Sequence, residues 1–409
     1  MATYGQAQAP VPARVETPKL KPRVTKRITY WSVVVVMAVL GGWGARRAAD
    51  SHLRAISVLT RLTNPKATGW AVSFAHHPFT ESTSSAETPQ GPLRYRLYVP
   101  LDVSHPPAVV LLHGIHKAGI EEPRLINFGR TLARAGVEVM TPELKDLADY
   151  QVTPATVDAI GNAALLLSEK TGEPKVGILG LSFAGGLALL AAERPEYAPK
   201  IGFVAAVGAH DDMARVAHFF AANMIERPDG SSVAFQAHEY GALVLAYAHP
   251  EDFFPPRDVA TAREALRLWL WEQPAASMKT AEGMSKEGQQ ELDDLLHHRA
   301  QLQQIFLREI ERHQAEMQAV SPHSHIADLR VPVYLLHGST DSIIPASETQ
   351  WLSKDVPQGD LRRVLISPAM NMIHVDGQRP ATAWDKWTLV DFMASLLRAT
   401  DRLGRAKSN

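Results

Sequence analysis

A serine stands between an apolar run and a helical segment, and its neighbours are small. The run 176–179 leads to Gly180, and Ser182 follows two residues later. The small residues 184–186 then precede a segment rich in Leu and Ala. Strand, sharp turn and helix are predicted in that order, with the serine on the turn. A serine hydroxyl is a weak nucleophile at neutral pH, so chemistry at Ser182 requires a base and a group that orients the base.

This stretch resembles the nucleophile elbow of the α/β-hydrolase family, in which a strained turn lifts the serine clear of the sheet. The turn brings strand and helix close together, so the positions two before and two after the serine must be small. Gly180 and Ala184 occupy these positions. The usual family pattern is G-x-S-x-G. The chain departs from it at Ala184, whose methyl group we expect the turn to accommodate.

The resemblance implies an acid and a histidine after later strands, because active sites of open α/β sheets form at the carboxyl ends of the strands. Asp341 follows the apolar run 331–336 in a loop similar to the acid loop of the family. His374 follows the last predicted strand, where the family places its base, although Ile373 replaces the usual small residue before it. The chain order Ser182, Asp341, His374 is that of the family.

Other interpretations of these residues remain open. Asp211 and Asp212 are an alternative acid, because some family members place the acid after the strand that follows the serine. The alternative role of this pair is a turn or the cap of the next helix. Asp341 is alternatively a turn aspartate, and His374 a hydrogen-bonded loop histidine.

Two backbone N–H groups are expected to stabilise the oxyanion of an acyl-transfer reaction. The resemblance assigns them to Phe183, directly after the serine, and to Ile115. Ile115 ends the stretch His113-Gly114-Ile115, which is similar to the H-G-x loop of the family. His113 is interpreted as a structural hydrogen-bonding residue and not as a base.

Strands and helices alternate along much of the chain, which predicts an α/β protein with a mostly parallel sheet and helices on both faces. The predicted strands are 70–74, 93–99, 108–112, 136–140, 176–179, 201–207, 331–336 and 361–366. The predicted helices are 124–135, 154–171, the segment from the elbow to about 193, and 384–398. The segment 80–92 is interpreted as a polar loop, and 93–99 as a half-exposed edge strand.

The alternation stops between 213 and 328, where helical patterns at 258–272 and 285–320 predict a helical cap inserted into the sheet domain. The α/β-hydrolase core is therefore predicted in two parts, 70–212 and 329–400. A connector (46–69) precedes the core and a polar tail (401–409) follows it. His297-His298 and His323/His325 lack carboxylates at suitable helical spacing, so no metal or other cofactor is predicted.

The N-terminal part predicts a membrane anchor. Residues 1–27 form a Pro-rich tail with a basic end, which we interpret as disordered. Residues 28–45 carry no charge and would form a helix about 27 Å long, close to the thickness of a bilayer. Six Lys and Arg residues precede this span, which favours a cytoplasmic N-terminus and an extracytoplasmic catalytic domain. The alternatives are a signal peptide cleaved near Ala48-Ala49, with a secreted product, and a buried core helix.

The composition excludes several classes of protein. The 409 residues have a formal net charge of −1 and no basic excess, so a nucleic-acid partner is not expected. The absence of cysteine excludes disulfides, thiolate metal sites and a cysteine nucleophile. The resemblance implies a serine hydrolase that acts on a small-molecule carboxylic ester or other acyl substrate through an acyl-enzyme. The alternatives are a peptidase or acyltransferase of the same fold, or a non-catalytic, membrane-tethered interaction module.

Overall fold

The computed structural model describes residue 46, residues 49–370 and residues 380–405. The chain divides into two compact units, Met1–Ala49 and Asp50–Asn409, and the elements below belong to the second. The predicted span 28–45 and His374 both lie outside the described residues. Among the helices that are described, none is long and apolar enough to cross a bilayer.

The elements of this unit are numbered in chain order. The strands are β1 (Phe79–Thr88), β2 (Gly91–Pro100), β3 (Ala108–Leu112), β4 (Glu138–Pro142), β5 (Val176–Leu181), β6 (Ile201–Val207), β7 (Met224–Glu226), β8 (Ser232–Ala234), β9 (Val333–Gly338) and β10 (Leu361–Ser367). The first helix is α1 (50–63). The remaining helices are α2 (Pro123–Arg134), α3 (Lys145–Ala148), α4 (Pro154–Thr171), α5 (Phe183–Glu193), α6 (Met213–Ala222), α7 (Glu239–Ala248), α8 (Val259–Leu270), α9 (Pro274–Ala281), α10 (Lys286–His297), α11 (Gln303–Arg312), α12 (Gln314–Gln318), α13 (Ser347–Asp355) and α14 (Ala383–Arg405).

Eight strands form one mixed sheet in the order β1-β2-β4-β3-β5-β6-β9-β10. The second strand is antiparallel to both of its neighbours, and the pairs from β4 to β10 are parallel. This order and these directions fit the α/β-hydrolase fold that the resemblance implied. The carboxyl ends of β3, β5, β6 and β9 therefore meet at one edge of the sheet.

Helices cover both faces of the sheet, as the alternation predicted. Successive residues of a strand point to opposite faces, and β3 shows this clearly. Val110 and Leu112 belong to the apolar cluster that includes α4, α5 and the cap, whereas Val109 and Leu111 belong to the cluster formed with α1, α2 and α14. All five residues of β3 are buried, because both faces of the sheet are packed.

The predictions for the N-terminal part of the core need correction. The polar segment 80–92 contains most of β1, which pairs with β2 along its whole length. It carried no apolar signal because it is an edge strand with largely exposed side chains. The segment 93–99, predicted to be the edge strand, lies second in the sheet. The predicted strand 70–74 contains a single 3₁₀ turn, Trp70–Val72.

The region 213–328 is mostly helical, as predicted for a cap, but it contains a small antiparallel hairpin, β7–β8, that the sequence pattern did not reveal. The predicted long helix 285–320 consists of α10, α11 and α12. It breaks at His298 and again at His313, where the backbone leaves helical geometry. The last helix extends to Arg405, so the first part of the predicted polar tail is helical.

Glu309, on the inner side of α11, gives the cap a pH-dependent stability. Its side chain is buried, and its carboxylate oxygens have no hydrogen-bond partner among the described residues. Burial raises the pKa of Glu309 to about 8, and the nearby charge of Glu251 acts in the same direction. Between pH 4.5 and about pH 8, the Glu309 carboxyl is therefore protonated in the folded state and ionised in the unfolded chain.

We expect Glu309→Gln to stabilise the protein, and to do so more at pH 8 than at pH 5. Stability conferred by the protonated carboxyl is complete below the unfolded pKa near 4.5 and is lost as pH rises towards 8. The loss amounts to about 1.4 kcal/mol per pH unit in this window. Urea unfolding at several pH values measures it. Glu311→Gln, an exposed change on the same helix, is the control, and equal pH profiles for wild type and Glu309→Gln would contradict the prediction.

Candidate active site

Ser182 is the single residue between β5 and α5. Its backbone has φ 57° and ψ −136°, a conformation that a residue with a side chain rarely adopts. The serine N–H donates to the carbonyl of Val207 at the end of β6 (2.7 Å), and its own carbonyl accepts from Gly185 N–H (2.8 Å). These bonds hold the strained turn between the neighbouring strand and the helix. The geometry is that of the elbow which the sequence resembles.

Strand and helix approach each other most closely at Gly180 and Gly185. A Cβ atom built on Gly180 would lie 2.6 Å from Gly185 Cα and 2.7 Å from the carbonyl oxygen of Ala184. From the sequence, the close contact was expected at Gly180 and Ala184. The structure places it at Gly180 and Gly185, while the Ala184 methyl group is accommodated in the core.

Gly180→Ala is therefore expected to destabilise the fold by about 3 kcal/mol, because backbone atoms of α5 must move to admit the methyl group. Thermal and urea unfolding measure the change. Gly359→Ala is the matched control, since a Cβ at that position meets no atom within 4 Å. If the unfolding free energy of Gly180→Ala lay within about 0.5 kcal/mol of the wild-type value, the close contact between β5 and α5 would be contradicted.

The loop after β3 lies against the serine. A Cβ built on Gly114 would lie 2.9 Å from Ser182 Cβ and 3.6 Å from Ser182 Oγ. Only glycine allows the backbone of this loop to come so close, and Ile115 follows it directly. Phe183 is the first residue of α5, and the first N–H groups of a helix have no partner within the helix. Both backbone segments predicted to form the oxyanion hole are thus at the serine.

His113 fixes the shape of this loop. Its buried ring accepts a hydrogen bond from Leu144 N–H at Nε2 (3.0 Å) and contacts the carbonyl of Gly114 through Nδ1 (2.7 Å). Nδ1 therefore carries the proton in the neutral tautomer. Burial lowers the pKa of His113 to about 4, so the ring is neutral at physiological pH. The structural role expected from the sequence is confirmed.

The ring of Phe183 packs against the ring of His210. The two ring centroids are 5.3 Å apart, and His210 Nε2 donates to the carbonyl of Val320 in the cap (2.8 Å). Burial lowers the pKa of His210, so this ring is also neutral. His210 was not identified in the sequence, because no spacing pattern connects it to the serine.

Asp341 lies in the loop after β9, with one carboxylate oxygen fully engaged. Its Oδ1 accepts from the N–H groups of Ile343 (2.9 Å) and Ile344 (3.0 Å). His337, buried in β9, supports the same loop through a bond from Nε2 to the carbonyl of Ile344 (2.8 Å). This arrangement fixes the carboxyl group, and Oδ2 lies 3.7 Å from His337 Nε2.

The structure brings Ser182 and Asp341 to the same point of the sheet edge, at the end of β6. Ser182 N–H bonds to the Val207 carbonyl, and a Cβ built on the next residue, Gly208, would lie 3.5 Å from Asp341 Oδ2. Gly208 has a positive φ of 65°, a backbone conformation that residues with a side chain rarely adopt. His374, the predicted base, lies outside the described residues, so its position relative to this pair stays a prediction.

The alternative acids have other partners. Asp212 caps α6, because its Oδ1 accepts from the N–H groups of Ala214 and Arg215. Asp211 is buried and forms an ion pair with Arg215 (2.7 Å), which also binds Glu348 (2.6 Å). Burial raises the pKa of Asp211 to about 7, the charges of Glu348 and Asp355 add to this, and Arg215 opposes it. This network joins the loop after β6 to α13. The sequence did not reveal this role, because Arg215 and Glu348 are 133 residues apart.

Comparisons with known proteins find structural similarity only. No family model and no curated protein sequence matches the chain. Among solved structures, 2,6-dihydroxy-pseudo-oxynicotine hydrolase is 16% identical, with 77% of this chain and 68% of that one covered and a TM-score of 0.40. The 2-hydroxy-6-oxo-6-phenylhexa-2,4-dienoate hydrolase of Rhodococcus sp. strain RHA1 is 18% identical (79% and 100% covered, TM-score 0.39). An esterase of Pyrobaculum calidifontis is 14% identical (86% and 89% covered, TM-score 0.41).

Proposed function

We propose that the protein is a serine hydrolase of the α/β-hydrolase fold, with Ser182 as nucleophile, Asp341 as acid and His374 as base. The observation that carries the proposal is the strained backbone of Ser182 at the β5–α5 junction. Such strain persists only where the surrounding structure holds it, and it is concentrated at functional sites. A non-catalytic interaction module has no need of this conformation.

His374 follows β10 in the sequence, and the end of β10 lies beside the acid loop. The described residues stop at Met370, in the 3₁₀ turn that follows β10, and resume at residue 380. β10 pairs with β9, and the Ser339 N–H in the acid loop bonds to the carbonyl of Ser367 at the end of β10 (3.3 Å).

The mechanism is acyl transfer in two steps. His374 takes the proton of Ser182 while Oγ attacks the substrate carbonyl, and Asp341 stabilises the imidazolium that forms. The N–H groups of Phe183 and Ile115 stabilise the oxyanion, and the leaving alcohol takes the proton from His374. Water then attacks the acyl-enzyme with His374 again as base, which releases the acid and restores Ser182.

Carboxylic esters are the proposed substrates, with a peptidase or acyltransferase of the same fold as the alternative. A panel of p-nitrophenyl esters of increasing acyl length, beside matched p-nitroanilides, distinguishes these activities. We expect turnover of esters without an added acceptor. Anilide turnover faster than that of the matched ester would favour the peptidase. Activity that requires an acceptor alcohol would favour the acyltransferase.

We also propose that residues 28–45 anchor the chain in a membrane with residues 1–27 cytoplasmic. The chain has no cysteine, so single cysteines report their own side of the membrane. Ser84→Cys, at an exposed position of β1, should react with an impermeant maleimide in intact cells, whereas Thr3→Cys should react only after lysis. The reverse pattern would overturn the orientation, and labelled protein found only in the medium would indicate a cleaved signal peptide.

A further inference from the structure

A tyrosine occupies a backbone position at which glycine is usual. Tyr150 is the second residue after α3, and its φ is 60°. The N–H of Tyr150 donates to the carbonyl of Leu147 (3.3 Å), and the N–H of Gln151 donates to that of Asp146 (2.8 Å). These two bonds define a Schellman motif, whose left-handed residue is most often glycine. A side chain disfavours this conformation, so the contacts of the Tyr150 side chain have to compensate for it.

The Tyr150 hydroxyl lies between the cap and the loop that follows β3. It donates to the carbonyl of Leu270, the last residue of α8 (2.8 Å). Residue 274 is proline, so the N–H that would bond to this carbonyl in a longer helix is missing. Burial raises the pKa of Tyr150, a hydrogen bond from the backbone N–H of Lys117 opposes the rise, and the charge of Glu272 adds to it. The neutral hydroxyl therefore donates to the cap and accepts from the loop.

Lys117 ends the loop that carries a proposed oxyanion donor. We call residues 113–117 the oxyanion loop. Its backbone meets the serine at Gly114, and the proposed donor, Ile115, lies two residues before Lys117. The buried imidazole of His113 fixes the start of the loop, and the tyrosine hydroxyl fixes its end. The direction of the Ile115 N–H therefore depends on both supports.

The side chain of Lys117 reaches the same end of α8. Its Nζ donates to the carbonyl of Trp271 and pairs with Glu272 Oε2 (2.8 Å). Glu272 also has a positive φ, 57°, and the N–H groups of Glu272 and Gln273 close a second Schellman motif at the end of α8. Two helix ends, each with a side chain where glycine is usual, thus meet at the oxyanion loop.

A second tyrosine hydroxyl ties the cap to the same turn of the core. Tyr247, in α7, donates to Oδ2 of Asp149 (2.9 Å), the residue before Tyr150. Its partner is a side chain of the turn, whereas the partners of the Tyr150 hydroxyl include the oxyanion loop. If both hydroxyls served only to hold the cap on the core, their removal would have the same effect on the reaction. The pair thus separates a role in positioning from a structural one.

We propose that Tyr150 is a positioning residue of the oxyanion hole, whose hydroxyl fixes the peptide group of Lys117 against the end of α8 and so directs the N–H of Ile115. This inference rests on the proposed serine hydrolase, because the oxyanion belongs to the acyl-transfer reaction. Tyr150 acts through the loop and not on the reacting atoms. Oxyanion donors stabilise the transition state more than the bound substrate, so their displacement lowers kcat and kcat/KM by the same factor.

Tyr150→Phe in the full-length protein tests this role, because phenylalanine keeps the ring and loses only the hydroxyl. We expect kcat and kcat/KM for the best ester of the panel to fall equally, by about 10–100-fold. A trifluoromethyl ketone gives a second readout. Ser182 Oγ adds to its carbonyl carbon while the serine proton passes to His374, which leaves an oxyanion in the hole. Its inhibition constant should rise by the factor by which kcat/KM falls.

Tyr247→Phe is the matched control and should keep kcat and the inhibition constant within about threefold of the wild type. The inhibition constant does not depend on the folded fraction, so it decides the matter even if part of a variant unfolds. Wild-type kcat and inhibition constant in Tyr150→Phe would overturn the proposal, as would equal losses in the two variants or a rise in KM alone. None of these results removes the serine hydrolase itself, which fails only if Ser182→Ala keeps turnover or the wild type shows none.

Discussion

Replacing Ser182 by alanine is expected to reduce ester turnover by a factor of about 10⁵ or more, with the fold intact. The hydroxyl supplies the bond that forms the acyl-enzyme, and removal of a triad nucleophile removes that route entirely. Alanine is small enough for the site, although it keeps the cost of the left-handed backbone. Initial rates on the best ester of the panel measure the effect.

Ser342→Ala is a suitable control, because Ser342 is a buried serine in the acid loop that no step of the mechanism uses. We expect this variant to keep turnover within about one order of magnitude of the wild type. Turnover by Ser182→Ala above about 1% of wild type, in a protein that unfolds cooperatively, would exclude the serine as nucleophile.

Replacing Asp341 by asparagine is expected to reduce kcat by a factor of about 10⁴. Asparagine keeps a carbonyl oxygen that can accept from the Ile343 and Ile344 N–H groups, so the loop retains its shape. Its amide NH₂ replaces Oδ2, however, and an NH₂ group cannot accept a hydrogen bond from the imidazole N–H. The histidine is then held in the wrong tautomer and its cation loses its counter-charge. Steady-state kinetics with the same ester measure kcat.

Asp211→Asn separates the two candidate acids. Asp211 is buried beside Arg215 and its pKa is raised to about 7, so this position accepts a neutral side chain and Asp211→Asn should leave the fold intact. We expect the folded fraction of this variant to turn over ester at nearly the wild-type rate. If folded Asp211→Asn lost activity while Asp341→Asn kept it, the acid would be assigned to the wrong loop.

The sequence predicted those elements whose ends carry a local signal. Helix α4 begins at Pro154, which suits the first turn of a helix, and it ends before Gly172, whose φ is 66°. Its predicted limits are those of the structure. Strand β6 is predicted equally well, because a buried parallel strand is a continuous apolar run.

Elements held by tertiary contacts were missed. The side chains of β1 are largely exposed, so the strand is defined by pairing with β2 and not by an apolar pattern. In the site, the turn at Ser182 and the acid loop follow from short motifs. The contact of Arg215 with Glu348 does not, because no local pattern relates residues that meet only when α6 packs beside α13.

Labelling with a fluorophosphonate probe tests the central claim most directly, because the probe reacts with an activated serine and needs no knowledge of the substrate. We expect one adduct per chain on the peptide that contains Ser182, and none in Ser182→Ala. Heat-denatured wild type should also fail to react. Equal labelling of wild type and Ser182→Ala, or no labelling of a folded wild type, would contradict the assignment of Ser182 as a catalytic nucleophile.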